Sequence, residues 1–218
     1  MISFINSLDP GLPEYLEDLE QYACQTNVPI IRKDMQALMK FLMTLQRPMQ
    51  ILEVGCAIGF SALLMNAYAP KGSHITTIEK FEKRIEEAKE NFAKFDKKEE
   101  ITLLEGDALE IIKQMEGSYD FIFMDAAKGQ YINFLPDCLR LLRPGGLLVS
   151  DNVLQDGDII ESRFAVTRRN RTIHTRMREY LYELKNNESL ETVILTIGDG
   201  AALSVKKETN VEKNALEK

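Results

Sequence analysis

Several features are missing from this sequence, and each absence excludes a class of protein. No run of about 18 consecutive apolar residues occurs, so we expect no transmembrane helix and no membrane partner. The N-terminus is acidic and lacks the basic, apolar and small-residue order of a secretory signal. The three cysteines are an odd number, widely spaced and without a C-x-x-C pair. This pattern argues against a disulfide framework or a structural zinc site and favours the reducing cytoplasm.

Charge is unevenly distributed along the chain. The net charge of −7 argues against a generic polyanion-binding protein. One segment departs from this average, because residues 162–178 contain six arginines and no acidic residue. The six are Arg163, Arg168, Arg169, Arg171, Arg176 and Arg178. A basic patch of this density on an acidic chain needs its own explanation.

Short apolar runs alternate with amphipathic segments through the middle of the chain. This order is typical of β-α-β units, whose parallel strands are covered by helices on both faces. The predicted strands are Gln50–Val54, His74–Ile78, Ile101–Glu105, Tyr119–Met124 and Leu147–Ser150. The predicted helices between them are Phe60–Ala69, Phe81–Phe95, Asp107–Met115 and Lys128–Leu142.

The two ends of the chain follow other patterns. Residues 12–24 and 33–46 predict two helices before the first strand, and the arginine segment continues into a third amphipathic helix. Two strand-like runs, Thr192–Ile197 and Ala201–Lys206, flank an Asp-Gly turn and predict a hairpin. We therefore predict an α/β, doubly wound, Rossmann-like sheet of seven strands, mostly parallel, with a C-terminal antiparallel hairpin and helices on both faces. The whole chain, 1–218, is expected to form one domain, with an N-terminal helical cap at 1–48, a catalytic core at 50–206 and a disordered tail at 207–218.

Acidic residues end four successive predicted strands. They are Glu53, Glu79, Asp107 and Asp125, and in a doubly wound sheet all four face one crevice. After the first strand the spacing G-x-x-x-G replaces the dinucleotide fingerprint G-x-G-x-x-G, which argues against a dinucleotide-dependent oxidoreductase. Glycines at such a turn let a ligand approach the backbone, although a tight strand-to-helix turn would use them equally well.

These features resemble the class I S-adenosylmethionine-dependent methyltransferases, over about residues 50–206. The resemblance implies that Glu53 and Gly55 hold the methionine moiety of the cofactor and that Ser61 contacts its carboxylate. It also implies that Glu79 binds the ribose, while Asp107 and Ala108 flank the adenine. Independently of the family, a crevice lined by carboxylates suits a positively charged sulfonium better than a pyrophosphate.

The fourth and fifth predicted strands end in a second polar group. Two adjacent parallel strands would bring Asp125, Asp151 and Asn152 to one edge of the sheet, and these oxygen ligands suit Mg²⁺. Alternatively, Asp125 is one more cofactor contact and Asp151-Asn152 begins a turn. Lys128 follows the fourth strand and could act as a base, or could be a solvated lysine at a helix start.

The D-x-x-K run and the later Asp-Asn pair resemble the cation-dependent O-methyltransferases of the catechol and caffeoyl-CoA type. That resemblance implies that Asp125, Asp151 and Asn152 ligate Mg²⁺ and that Lys128 is the general base. A vicinal pair of oxygens on the acceptor would chelate the metal, whose charge lowers the pKa of the reacting hydroxyl.

Within this group the chain most resembles the bacterial tRNA 5-hydroxyuridine methyltransferases. The shared features include Val28-Pro29-Ile30, the run from Asp125 to Tyr131, Asp151-Asn152-Val153-Leu154, the arginine cluster and Gly198-Asp199-Gly200. The resemblance implies that Ile31 touches the cofactor, that the protein is a homodimer, and that the acceptor is the wobble base of a tRNA anticodon loop. The RNA-binding residues would then be Arg163, Arg168, Arg169, Arg171 and Arg176, because unpaired arginines at a catalytic mouth can hold phosphates.

Two alternatives remain open for the acceptor and for the arginines. A small catechol, phenol or caffeoyl-CoA-like acceptor would use the same metal site and would not need the arginines. An arginine-rich helix can also simply be a solvated face. The sequence has no tryptophan and no aromatic-rich insertion from which to build a phenol pocket, which favours the RNA.

Overall fold

A computed structural model of the chain describes residues 2–96, 98–162 and 164–208. Arg163 and residues 209–218 of the predicted tail lie outside this described part. The helices are α1 (Ile2–Ser7), α2 (Glu14–Thr26), α3 (Lys33–Gln46), α4 (Phe60–Tyr68), α5 (Glu82–Phe95), α6 (Ala108–Gln114), α7 (Tyr131–Leu141) and α8 (Arg171–Asn186). The strands are β1 (Gln50–Val54), β2 (His74–Glu79), β3 (Ile101–Glu105), β4 (Tyr119–Met124), β5 (Leu142–Ser150), β6 (Leu190–Leu195) and β7 (Ala201–Lys206).

The seven strands form a single mixed sheet in the order β3-β2-β1-β4-β5-β7-β6. β1 to β5 are parallel, and β7 pairs antiparallel with both β5 and β6. The predicted fold class is therefore confirmed. The order reverses at β1, where β2 lies on one side and β4 on the other, and this switch point is where a doubly wound sheet opens a crevice.

Two apolar cores cover the two faces of the sheet. Alternate residues of each strand point to opposite faces, so Ile51 and Phe121 join one core while Leu52 and Ile122 join the other. In α3, Met35, Met39 and Leu42 are buried at helical spacing and pack into the first core. These N-terminal residues thus pack on the core of their own chain. The homodimer remains a prediction.

Three local features differ from the sequence expectations. β5 begins at Leu142 instead of Leu147, because Pro144-Gly145-Gly146 forms an irregularity inside the strand: Tyr119 pairs with Leu142 and Phe121 with Leu147. The predicted helix from Lys128 begins as a 3₁₀ turn over Lys128–Gln130, and α7 follows it. The short helix α1 was not expected.

The C-terminal hairpin also differs from its prediction. β6 begins and ends two residues earlier than expected, and a longer loop, residues 196–200, joins it to β7. This loop is tied to the N-terminal segment, since the Gly198 amide donates to Asp34 (2.7 Å) and Arg32 pairs with Asp199 (2.7 Å). Among the described helices, none is both long and apolar enough to cross a membrane.

Candidate active site at the carboxyl edge of the sheet

A cleft of about 640 Å³ opens beyond the carboxyl ends of β1 to β4. Most residues that the sequence assigned to the cofactor, together with the proposed base, line it. These are Ile31, Gly55, Ser61, Glu79, Asp107, Ala108, Asp125 and Lys128, and the predicted metal ligand Asn152 lines the cleft as well. A smaller cavity of about 230 Å³ adjoins it and is lined by Asp125, Asp151, Asn152 and Asp199. The fold therefore brings the predicted cofactor and metal residues into one region.

Gly55 lets β1 and β4 approach each other at the switch point. Its φ of +90° is in the region that favours glycine, and a Cβ there would collide with the Asp125 carbonyl oxygen. The Gly55 amide also donates to the Ile78 carbonyl (2.9 Å) on β2. Chain packing alone therefore requires this glycine, so its conformation is compatible both with a ligand-binding loop and with a tight strand-to-helix turn.

Glu53 is fully buried behind the cleft and does not line it. The Thr77 hydroxyl donates to one carboxyl oxygen (Oε2, 2.5 Å), while the other (Oε1) has no hydrogen-bond partner in the described chain. Burial raises the pKa of Glu53 to about 7, against the opposite effect of the Ser61 and Thr77 hydroxyls. A buried carboxyl oxygen without a donor is the kind of group that a cationic or amino ligand satisfies.

The next two acids are held by backbone amides. Glu79 accepts from the amides of Ala57, Lys80 and Phe81, all at 2.9 Å, so its carboxylate is fixed at the end of β2. Asp107 caps α6 by accepting from the Leu109 amide (2.9 Å), and this bond, together with nearby Lys80, lowers the pKa of Asp107. Each carboxylate keeps lone pairs for a ligand, but each also has a structural role that its position in the sequence did not reveal.

The predicted metal ligands converge as expected from adjacent strands. Met124 pairs with Ser150 at the end of the β4–β5 ladder, so Asp125 and Asp151 leave the sheet side by side. The Asn152 side-chain amide lies 3.3 Å from Asp125 Oδ1. Asn152 has a φ of +59°, a left-handed conformation that asparagine adopts more readily than most residues. This turn directs its side chain back toward Asp125.

The electrostatics of these two acids fit a divalent cation. Burial raises the pKa of Asp125 to about 6, and burial together with the charge of Asp125 raises the pKa of Asp151 to about 7. Neither acid has an ion-pair partner within 4 Å in the described chain. A buried and a half-buried carboxylate side by side without a cation are costly, and a hard divalent ion would offset that cost.

The predicted metal site has only three protein ligands, and one of them, the Asn152 side-chain amide, would have to be reoriented to bind the ion. Within the described ranges, no group of three or more His, Cys, Asp or Glu side chains could hold a metal, so the predicted set depends on the amide of Asn152 as its third ligand. This amide now points its nitrogen toward Asp125. Exchanging the amide oxygen and nitrogen, which occupy equivalent positions, would present an oxygen ligand instead.

Lys128 lines the cleft at the first position of the 3₁₀ turn that follows β4. It lies near enough to Asp125 for its positive charge to lower the pKa of that carboxyl. The edge of the cleft formed by Asp125, Asp151 and Asn152 is called the metal edge below, after its predicted ligand. The charge of Lys128 lies at this edge, where the resemblance implies a general base.

Sequence reasoning missed a pair of buried tyrosines beneath this edge. The Tyr131 hydroxyl lies 3.1 Å from the carbonyl oxygens of both Met124 and Asp151, and the Tyr180 ring packs edge-on against it. Burial raises the pKa of Tyr131 well above its usual value, so the hydroxyl keeps its proton. The available signal was weak, because a tyrosine in an amphipathic helix is usually just a core residue.

The structure divides the arginines into two groups. Arg168 and Arg169 are exposed and make no hydrogen bond or ion pair with the described residues. By contrast, Arg171 donates to Val166, Arg176 to Gly129 and Arg178 to Ile159, at 3.4, 3.0 and 3.0 Å, in each case to a carbonyl oxygen. None of these five lines the cleft, although Arg176 contacts the turn that carries Lys128. Arg163 lies outside the described residues.

Comparisons with known proteins agree with this geometry. A structure of a candidate caffeoyl-CoA O-methyltransferase from Staphylococcus aureus is 33% identical, covers 89% of this chain and 93% of its own, and superposes with a TM-score of 0.83. A Podospora anserina methyltransferase solved with S-adenosylhomocysteine is 24% identical over 94% of this chain and 93% of its own, with a TM-score of 0.85, and shows the shared fold. A catechol O-methyltransferase from Niastella koreensis is 34% identical over 56% of this chain, which spans 58% of that relative's length.

The family itself is established by a longer match. A sequence model described as O-methyltransferase matches residues 6–207, nearly the whole described chain. The predicted resemblance to methyltransferases of the catechol and caffeoyl-CoA type is thereby confirmed at the level of the family. The chain belongs to the O-methyltransferase family.

Proposed function

We propose that this protein uses S-adenosylmethionine and Mg²⁺ to methylate the 5-hydroxyl of 5-hydroxyuridine at the wobble position of tRNA, giving 5-methoxyuridine. The observation that carries the enzymatic part is the convergence of Asp125, Asp151 and Asn152 beside a carboxylate-lined cleft. The acceptor is proposed from the exposed arginines Arg168 and Arg169.

The cleft suits the proposed cofactor in charge and in hydrogen-bond acceptors. Glu79 and Asp107 would accept hydrogen bonds from ribose and adenine, while Glu53 lies behind Gly55 with an unsatisfied oxygen. Bound S-adenosylmethionine supplies a methyl group on a positively charged sulfur. The Podospora relative, solved with the demethylated product of that cofactor, supports the assignment.

The metal edge would hold and activate the acceptor. Asp125, Asp151 and Asn152 would bind the ion, which when present lowers the pKa of a chelated hydroxyl. Lys128, as the neutral amine beside the bound ion, would then accept the hydroxyl proton at its Nζ and become an ammonium, since it stands at the same edge of the cleft. Orienting the oxygen toward the methyl carbon is the remaining contribution of the site.

The arginine segment would suit a single-stranded RNA loop, and its Arg176 contacts the turn that carries Lys128. Arg168 and Arg169 are exposed and unpaired in the described chain, which leaves their guanidinium groups available to phosphates. Phe164 is 86% exposed in the same segment, and an exposed aromatic ring beside arginines can stack on an unpaired base. The 5-hydroxyl and 4-carbonyl of 5-hydroxyuridine form a chelating oxygen pair like that of a catechol.

A catechol, phenol or caffeoyl-CoA-like compound is the second candidate acceptor. It is favoured by the names of the relatives, which are catechol and caffeoyl-CoA O-methyltransferases. The same cleft and metal edge would serve it, and the arginine segment would then be a solvated surface.

A methylation assay with each candidate acceptor in turn distinguishes the two proposals. The purified protein is given S-adenosylmethionine and Mg²⁺ with catechol, with caffeoyl-CoA, or with tRNA from cells that lack this protein. Mass spectrometry of the tRNA nucleosides should show 5-hydroxyuridine converted to 5-methoxyuridine, with no conversion by Lys128→Met or in a chelator. Methylation of catechol or caffeoyl-CoA but not of tRNA would contradict the RNA proposal, and activity in the chelator would contradict the metal.

A further inference from the structure

We propose that Tyr131 is a positioning residue whose buried hydroxyl holds the ends of β4 and β5 at the spacing that metal binding requires. The inference rests on the metal site of the proposed function. Tyr131 is the first residue of α7, three positions after Lys128, and its side chain is fully buried. Its hydroxyl is therefore not available to solvent or to substrate.

The hydroxyl is shared between two strands. It lies 3.1 Å from the carbonyl oxygen of Met124 on β4 and 3.1 Å from that of Asp151 after β5. A carbonyl cannot donate, so the single hydroxyl proton serves both acceptors and links the two strand ends. The linked carbonyls therefore belong to Asp151 itself and to the residue immediately before Asp125.

This link lies where the sheet itself stops holding the strands. Met124 and Ser150 form the last registered pair of the β4–β5 ladder, and the Asp151 amide adds one bond to the Met124 carbonyl (3.0 Å). The Tyr131 hydroxyl adds a further link there, between the same Met124 carbonyl and the Asp151 carbonyl. Without it, one buried carbonyl loses a donor and the two acids can move apart.

The ring of Tyr131 is fixed from behind by a second tyrosine. The centroids of the Tyr131 and Tyr180 rings are 5.5 Å apart at an interplanar angle of 78°, an edge-on contact. The Tyr180 hydroxyl shares a hydrogen bond of 2.5 Å with Ser150 Oγ, on the residue before Asp151. Both buried rings are thus packed against the strand end that they support.

The test is the variant Tyr131→Phe, which keeps the ring and removes the hydroxyl. Binding of Mn²⁺, followed by electron paramagnetic resonance without cofactor or acceptor, should weaken about tenfold, as is usual when a group supporting a metal ligand is lost. The Mg²⁺ concentration for half-maximal activity should rise in parallel, while the KM for S-adenosylmethionine stays unchanged. The matched control is Tyr119→Phe, which removes a buried hydroxyl at the opposite end of β4.

Two results would overturn the inference. Mn²⁺ binding by Tyr131→Phe equal to that of the wild type and of Tyr119→Phe would leave the metal site standing and remove the role of Tyr131. Absence of saturable Mn²⁺ binding by the wild type, with Asp151→Asn no different, would remove the proposed metal site and this inference with it. Thermal melting of both tyrosine variants checks that they are folded when they are compared.

Discussion

The metal edge of the sheet and the arginine segment differ in how firmly the fold holds them. Asp151 is buried and Asp125 half-buried, and hydrogen bonds to the backbone fix the strand ends that carry them. Arg168 and Arg169 stand in solvent with no partner in the described chain. The groups proposed to act on every acceptor are thus held at the ends of the central strands, whereas the groups proposed to choose the acceptor are on the surface. Substitutions in the two regions should therefore have different consequences.

The largest effect is expected at the metal edge. Asp151→Asn removes one carboxylate charge without changing shape, and loss of metal assistance should lower kcat at least about a thousandfold for any acceptor. Binding of S-adenosylhomocysteine, measured by calorimetry, should be retained, because Asp151 lines the neighbouring cavity and not the larger cleft. Asp137→Asn, on the surface of α7, is the control with the same change of charge. A fully active Asp151→Asn would contradict the metal assignment.

The second effect should depend on the acceptor. Replacing Arg168, Arg169 and Arg171 with glutamine should lower kcat/KM for an anticodon stem-loop about 100-fold and make its salt dependence shallower by about 0.7 per lost phosphate contact. Methylation of catechol and affinity for Mn²⁺ should not change. The control replaces Lys83, Lys89 and Lys94 of α5, which alters the net charge equally on another surface. An equal loss in both variants would mean that net charge, and not this segment, attracts the RNA.

The contrast between the two regions also explains what the sequence could predict. The positions of Asp125 and Asp151 were predictable. A run of about five apolar residues indicates a buried parallel strand, and an acid that follows such a strand lies at the carboxyl edge of the sheet. The Arg32–Asp199 pair and the two bonds of the Tyr131 hydroxyl were not, since they join residues that are distant in sequence. The irregularity in β5 was not predicted either. Pro144-Gly145-Gly146 indicates a chain break, and the sequence does not distinguish a break before a strand from an irregularity within it.

A third prediction concerns the stability of the buried edge and its dependence on pH. The pKa of Glu53 rises from 4.5 to about 7 on folding, so the native protein holds a proton that the unfolded chain releases. The stability contributed by this group is therefore full below about pH 4.5 and is lost as the pH rises to about 7. Glu53→Gln does not titrate, so its stability relative to the wild type, in cofactor-free protein, should improve by about 3 kcal/mol across that window.

Urea unfolding at several pH values measures this difference. Asp125 and Asp151 titrate in the same window, but they do so in both proteins, so their contribution largely cancels in the comparison. Glu90→Gln, at an exposed position of α5, should show no such trend. A Glu53→Gln difference that stays constant with pH would mean that the buried carboxyl is not the source.

The smallest effect is expected where the two regions meet. Arg176 belongs to the arginine segment, yet its guanidinium donates to the Gly129 carbonyl (3.0 Å), in the turn that begins with Lys128. Arg176→Ala should therefore act on the base and lower kcat up to about tenfold, since an exposed hydrogen bond from a charged group contributes about 1 kcal/mol. The KM for RNA should change little.

Arg178→Ala is the matched control, because it loses an equivalent bond from the same helix to Ile159. A rise in the KM for RNA with kcat unchanged would instead place Arg176 with Arg168 and Arg169 as a contact for the acceptor.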